Sequence, residues 1–157
     1  MKKLVFIAIA IFSLSTSNAQ SNSEDIEIIQ GLYGKDKKEL VAAFIQLEGA
    51  QKTEFWKLYD EYEVARKKLG KQRIALIEKY ANDYQSNDSK KIDSLMKSIF
   101  SLQTQTDKLI ETYYNKIKAK SGTVAAAQFT QVEQYLLSAI RLKLLDEIPF
   151  FGQLESK

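Results

Sequence analysis

The side chains that carry most enzyme chemistry are missing from this chain, which has no His and no Cys. That removes Ser-His-Asp and Cys-His nucleophile systems, the usual zinc ligand sets and the Glu-x-x-His pairs of di-iron bundles. There is no glycine-rich phosphate loop either. Carboxylates remain, and Asp60, Glu61 and Glu63 lie close enough in sequence to suggest acid–base work or a hard cation. On a helix, however, residues so spaced point in different directions, so the three read as a solvated face. The expectation is a protein that is not an enzyme, with no cofactor and no metal site.

What is left is binding chemistry. Arg66 and Arg73, two helical turns apart, fall at the edge of an apolar arc and not on the polar face. Their stems lie on the core with the heads in water, or they pair with a carboxylate of a neighbouring helix such as Asp93 or Asp107, or they line a concave surface that attracts anionic segments. Lys67, Lys68 and Lys71 lie opposite and read as solvated. Phe55, Trp56, Tyr59 and Tyr62 form an aromatic cluster in which Phe55 and Tyr62 sit in the arc, Tyr59 at its edge and Trp56 beyond it. Trp56 is either covered by the preceding helix or exposed for partner chains, where aromatics supply contact area at low entropic cost. Phe150 and Phe151, adjacent aromatics in a polar tail, should dock on something. Trp56, Arg66, Arg73, Phe150 and Phe151 are therefore the candidate client or partner contacts.

The element that must position them is the stretch from Ala50 to Gln85, about 36 residues without Pro and with a single Gly, Gly70. As one helix it would be ~54 Å long at 1.5 Å per residue. Phe55, Leu58, Tyr62, Ala65 and Leu69 alternate spacings of three and four, the seam of a helix packed lengthwise on another. The matching element runs from Asp88 to Lys120, with Ile92, Leu95, Met96, Ile99, Leu102, Thr106, Leu109, Ile110, Tyr113 and Ile117 in the same rhythm. Ser86-Asn87-Asp88-Ser89 between them is turn and cap chemistry.

A short helix is expected from Lys35 or Asp36 to about Leu47, with Asp36 as its N-cap and Glu48-Gly49 as its break. A last helix should start after Thr123 as N-cap and stop before Pro149. Its second half is apolar around most of its circumference, so it either sits between the hairpin and the first helix or supplies a homodimer interface. The fold class is all-α: an elongated hairpin of two long antiparallel helices, plus a short N-terminal and a C-terminal helix. One Pro and six Gly in 157 residues agree with that class.

Met1 to Ala19 has the form of a signal peptide: Lys2 and Lys3, an apolar run from Leu4 to Leu14, and small residues ending at Ala19. Cleavage near Ala19 would place the mature chain in the periplasm without stable membrane insertion. The expected organisation is signal peptide 1–19, flexible mature N-terminus 20–34, a single helical domain 35–151 and a tail 152–157. Cleavage removes two of the 23 basic residues, set against 20 acidic ones, so the mature chain is nearly neutral and offers no argument for nucleic acid.

This order of elements resembles the Spy and CpxP family of periplasmic proteins, which carry Leu-Thr-x-x-Gln at the starts of two helices. Leu47-Glu48-Gly49-Ala50-Gln51-Lys52 is similar to the first copy, with Leu47 and Gln51 in register as structural positions and Glu48 in place of Thr. Thr123-Val124-Ala125-Ala126-Ala127-Gln128-Phe129 keeps only the general character of the second. The stretches Glu54 to Tyr62 and Phe129 to Pro149 also resemble exported bacterial helical proteins of unassigned activity. The first resemblance implies an ATP-independent chaperone or envelope-stress accessory that binds unfolded or membrane-associated proteins, often as a dimer. The alternatives are a module that docks on one envelope partner, such as a sensor domain, or a purely structural envelope protein.

Overall fold

The structure is a computed structural model that describes residues 37–85 and 88–146, with side chains through 142. Among the described residues it is all helical: α1 (described over 37–44), α2 (Gly49–Asp83), α3 (Ser89–Ser121) and α4 (Thr123–Asp146). The signal peptide, residues 20–34, Phe150, Phe151 and the tail lie outside the described residues. No described helix is long and apolar enough to cross a membrane.

The long helices bury the faces that their spacing selects. On α2 the buried positions are Phe55, Tyr59, Tyr62 and Arg66. On α3 they are Leu95, Leu102, Thr106, Ile110, Tyr113, Ile117 and Ser121. Thr106 is accommodated because its Oγ1 donates to the Leu102 carbonyl at 2.9 Å. Between α2 and α3, Asp88 caps the second helix, its carboxylate accepting from the backbone N–H groups of Lys90 at 3.0 Å and Lys91 at 3.3 Å.

α2 packs on α3 and α3 on α4, and Tyr62 stands where the three meet. Its ring lies edge-on to Phe129 of α4 at 5.0 Å and to Tyr113 of α3 at 5.5 Å, a geometry worth roughly 0.5–1.5 kcal/mol per pair beyond burial. Val41 and Ile45 from the α1 segment, Ile110 and Ile117 from α3, and Ala125, Ala126 and Val132 from α4 complete the core around it. The Ser121 hydroxyl donates to the Gln51 carbonyl at 3.0 Å and ties the end of α3 to the start of α2.

Four details differ from the sequence reading. α1 ends at residue 44, not Leu47, although the Ile45 N–H still donates to the Val41 carbonyl at 2.9 Å. Tyr59 is fully buried, not at an edge, because α4 brings Phe129 against it. The second half of α4 does not sit between the hairpin and α1, one of its two expected places: among the side chains described through residue 142, Tyr135 and Leu142 are largely exposed, while Leu136 and Leu137 pack on the core. Thr123 is not an N-cap but the first residue of α4. Gly122 takes the joint instead: its N–H closes α3 on the Lys118 carbonyl and its own carbonyl accepts from Ala126.

At φ 96 and ψ 162 Gly122 occupies backbone space that only glycine enters without strain. A Cβ there would meet nothing within 4 Å, so strain is the whole cost. Gly122→Ala is expected to destabilise the protein by about 1–3 kcal/mol, measured as a lower urea midpoint at unchanged slope.

Candidate functional site

The polar chemistry of the described residues gathers at one place inside the core. Lys37, the first described residue of α1, reaches inward and donates to Glu63 Oε1 of α2 at 2.6 Å and to Glu133 Oε2 of α4 at 2.7 Å. Glu133 is fully buried. Its Oε2 also accepts from the Tyr62 hydroxyl at 2.8 Å, and its Oε1 receives a long contact from the Tyr59 hydroxyl at 3.5 Å. Arg66, one turn beyond Glu63 on the same helix, holds both Glu63 oxygens, Nε to Oε1 at 2.8 Å and Nη2 to Oε2 at 3.0 Å. The Lys37 ammonium also faces the rings of Tyr59 and Tyr62 at 5.7 and 5.5 Å.

Two cations and two carboxylates sum to zero, which is what allows so much charge inside. No buried side-chain nitrogen or oxygen among the described residues lacks a partner. Burial alone would raise the Glu63 pKa, but the Arg66 hydrogen bonds and the charges of Lys37 and Arg66 outweigh it and hold the carboxyl below its ordinary 4.5. Burial also works against Arg66, yet its bond to Glu63 and the charges of Glu63 and Glu133 raise it. Tyr59 and Tyr62 are pushed well above 10.0, first by burial and then by the charge of Glu133.

Acid and base groups are present here, with Glu133 fully buried and Glu63 partly exposed. Two grooves lie elsewhere among the described residues. One of about 590 Å³ runs between α2 and α3 past Gln72, Leu76, Asp93, Lys97 and Gln105. The other, of about 460 Å³, lies where the segment after α1 meets the α3–α4 joint, among Phe44, Leu47, Gln51, Val124 and Gln128. The buried cluster therefore joins three helices and fixes their register. Among the described residues no group of three or more Asp or Glu is placed to hold a metal ion.

The sequence-predicted residues are distributed around this centre. Arg66 belongs to it, which corrects the expectations of a snorkelling head, a pair with Asp93 or Asp107, or an anion-attracting surface. Glu63 at i−3 offers a bidentate partner within reach, while Asp93 pairs with Lys97 on its own helix. Glu63 is likewise turned inward and not solvated, whereas Asp60 and Glu61 are exposed. Trp56 is half-buried, edge-on to Phe55 at 5.1 Å and Tyr59 at 5.4 Å, with the Lys38 ammonium 5.1 Å over its ring. Arg73 is half-buried on the far side of Arg66. Burial and then the nearby charge of Arg141 lower its pKa, with Asp107 opposing. Leu47 packs against the core, and the Gln51 side chain borders the smaller groove.

Sequence reasoning passed over Lys37, Glu63 and Glu133 as members of one site. Glu133 carried a signal, since it follows Phe129 by four and precedes Leu136 by three in an otherwise apolar seam. Lys37 carried one too, standing four residues before Val41 and eight before Ile45 on one helical face. No known family, no curated protein and no solved structure matches the chain.

Truncating Glu133 to Ala leaves Lys37 and Tyr62 buried with fewer partners, and the expected loss is about 3–5 kcal/mol. Lys38 and Asp60, paired at 2.7 Å on the surface, set the contrast: Lys38→Ala should cost less than about 1 kcal/mol in the same chemical denaturation.

The pH dependence has two limbs. Glu63 is stabilising above 4.5, its unfolded value, and that contribution is lost as pH falls through its lower folded value. Tyr59 and Tyr62 contribute fully below 10.0, and their contribution falls away as pH rises beyond it. Tyr59 and Tyr62 should ionise only as the helices melt. Tyrosinate absorbance and circular dichroism recorded together through an alkaline titration check this.

Proposed function

We propose that this chain is an exported, periplasmic, non-enzymatic protein that binds unfolded or membrane-associated proteins without nucleotide, in the manner of the Spy and CpxP family that it resembles. Its framework would be an elongated hairpin in which α2 and α3 run antiparallel. Supporting that course, Gln51 near the start of α2 meets Ser121 at the end of α3, and Tyr62 meets Tyr113. The charge of Asp107 is felt further along, at Arg73.

The observation that carries the binding reading is apolar surface left open at the edge of a groove. Phe44, Phe100 and Val124 are 59%, 62% and 72% exposed, and Phe44 and Val124 border the groove that Leu47 helps to line. Isolated apolar side chains are ordinary on a protein surface, but a groove edged by them suits loose contact with unfolded chains. Lys67 and Lys68 are exposed on α2 and supply long-range attraction. Arg66 has a different task, inside the fold, and Arg73 is only partly available.

A second reading has its own observation. Tyr135 and Leu142, seven residues apart on α4, are 71% and 63% exposed, and an apolar stripe of that kind suits docking on one defined envelope partner.

The test is aggregation of a reduced, unfolding client followed by light scattering with stoichiometric protein and no nucleotide. Suppression is expected, and the Phe44→Ser/Val124→Ser variant should weaken it several-fold while its helical signal is unchanged. Absence of suppression across several clients would discard this reading in favour of docking on a single partner.

A further inference from the structure

The buried cluster is completed by an element held on a short tether. α1 turns Lys37, Val41 and Ile45 inward at successive intervals of four, and leaves Lys38, Glu39, Leu40, Ala42, Ala43 and Phe44 exposed. Over residues 37–44 α1 is amphipathic, and its inward face rests on the surface beneath it. That surface consists of the Glu63 and Glu133 carboxylates, the faces of Tyr59 and Tyr62, and the apolar core. Without α1 it would hold Glu63, Glu133 and Arg66, one negative charge in excess. It therefore requires one cation, followed by apolar residues one and two turns on.

The tether is poised between two states. Ile45, Gln46, Leu47 and Glu48 include neither Gly nor Pro, and they leave the helix only because the chain reverses at Glu48 and at Gly49, where φ is 56. The Glu48 side chain makes no capping hydrogen bond, and the first turn of α2 contains no acidic residue. The first N–H groups of α2 thus lack the usual side-chain satisfaction. Continuing the helix from α1 through residues 45–48 into α2 would give those groups carbonyl partners, at the expense of lifting α1 from its own cleft.

We propose that the cleft between α2 and α4 is a receptor for a lysine-bearing helix, filled in cis by the chain's own α1 and, in an exchanged dimer, by α1 of a second copy. In that dimer α1 and α2 form one continuous helix, and Lys37 of the partner subunit sits between Glu63 and Glu133. The second copy is the fitting occupant because it brings the required lysine and both apolar residues at the same spacing. Every contact broken in cis is remade in trans, so the balance is set by the hinge and by concentration.

Gly49→Ala in the full chain tests this without touching the cluster. A Cβ at Gly49 meets nothing within 4 Å, so the substitution acts through backbone preference alone, against the left-handed hinge and in favour of continuous helix. Light scattering coupled to size exclusion, over a range of concentrations, should show dimerisation tightened on the order of tenfold per hinge relative to the unaltered chain. Lys37→Glu added to Gly49→Ala should abolish that dimer, because an α1 that neither cleft accepts leaves an open monomer. Mixing the Lys37→Glu chain with a Glu133→Lys chain should give a one-to-one heterodimer, because each α1 then matches only the other's cleft. A Gly49→Ala chain that remains a monomer at every concentration overturns the proposal, and so does a dimer indifferent to Lys37→Glu. Should either charge variant fail to fold, the Gly49→Ala measurement decides alone.

Discussion

A carboxylate with no solvent exposure, Glu133, governs this structure. Taking a charge of that kind from water costs several kcal/mol, and only close, well-aligned partners offset it. Its partners come from α1 and α2: the Lys37 ammonium and the Tyr62 hydroxyl on one oxygen, with Tyr59 beside the other. Glu63 and Arg66 then balance the charge. Each group is tolerable inside because the others are there. The apolar core could accept neighbouring registers of α1 at modest cost, whereas the ammonium has one place between two carboxylates.

The same economy explains why the chain can lack cysteine and still hold a short N-terminal helix against a bundle. Disulfides hold many small domains together. Here the tie between distant segments is ionic and hydrogen-bonded, closed over by the rings of Tyr59, Tyr62 and Phe129. Its groups belong to the repertoire of catalysis, yet their hydrogen-bonding capacity is taken up by one another, and the two grooves described above are lined by other residues.

The helical class was legible from the residues, because Phe55 through Leu69 and Ile92 through Ile117 repeat at threes and fours and Pro is nearly absent. Gly122 as a helix end and the cap chemistry before Ser89 were legible for the same local reason. The cluster was harder to read. Arg66 lay at the edge of the apolar arc, which marked it as unusual, but its partner was sought across the helix pair and stands instead at i−3. Lys37 and Glu133 are 96 positions apart, and no local pattern joins them. Each could be recognised singly as a charge on a buried face, but their meeting depends on how α1 and α4 settle on α2. The end of α1 was misplaced because Ile45 to Leu47 favour helix, and the reversal at Glu48 and Gly49 prevails over that preference.

Gly122 bears on time as well as on shape. With one residue between α3 and α4, the two helices are neighbours from the moment they form. The contact between Lys37 and Glu133 encloses nearly the whole described chain and carries the largest loop-closure entropy. It belongs late in the folding reaction, after the α3–α4 corner is in place. A tie that forms late acts as a brake on unfolding and leaves the rate of folding nearly untouched.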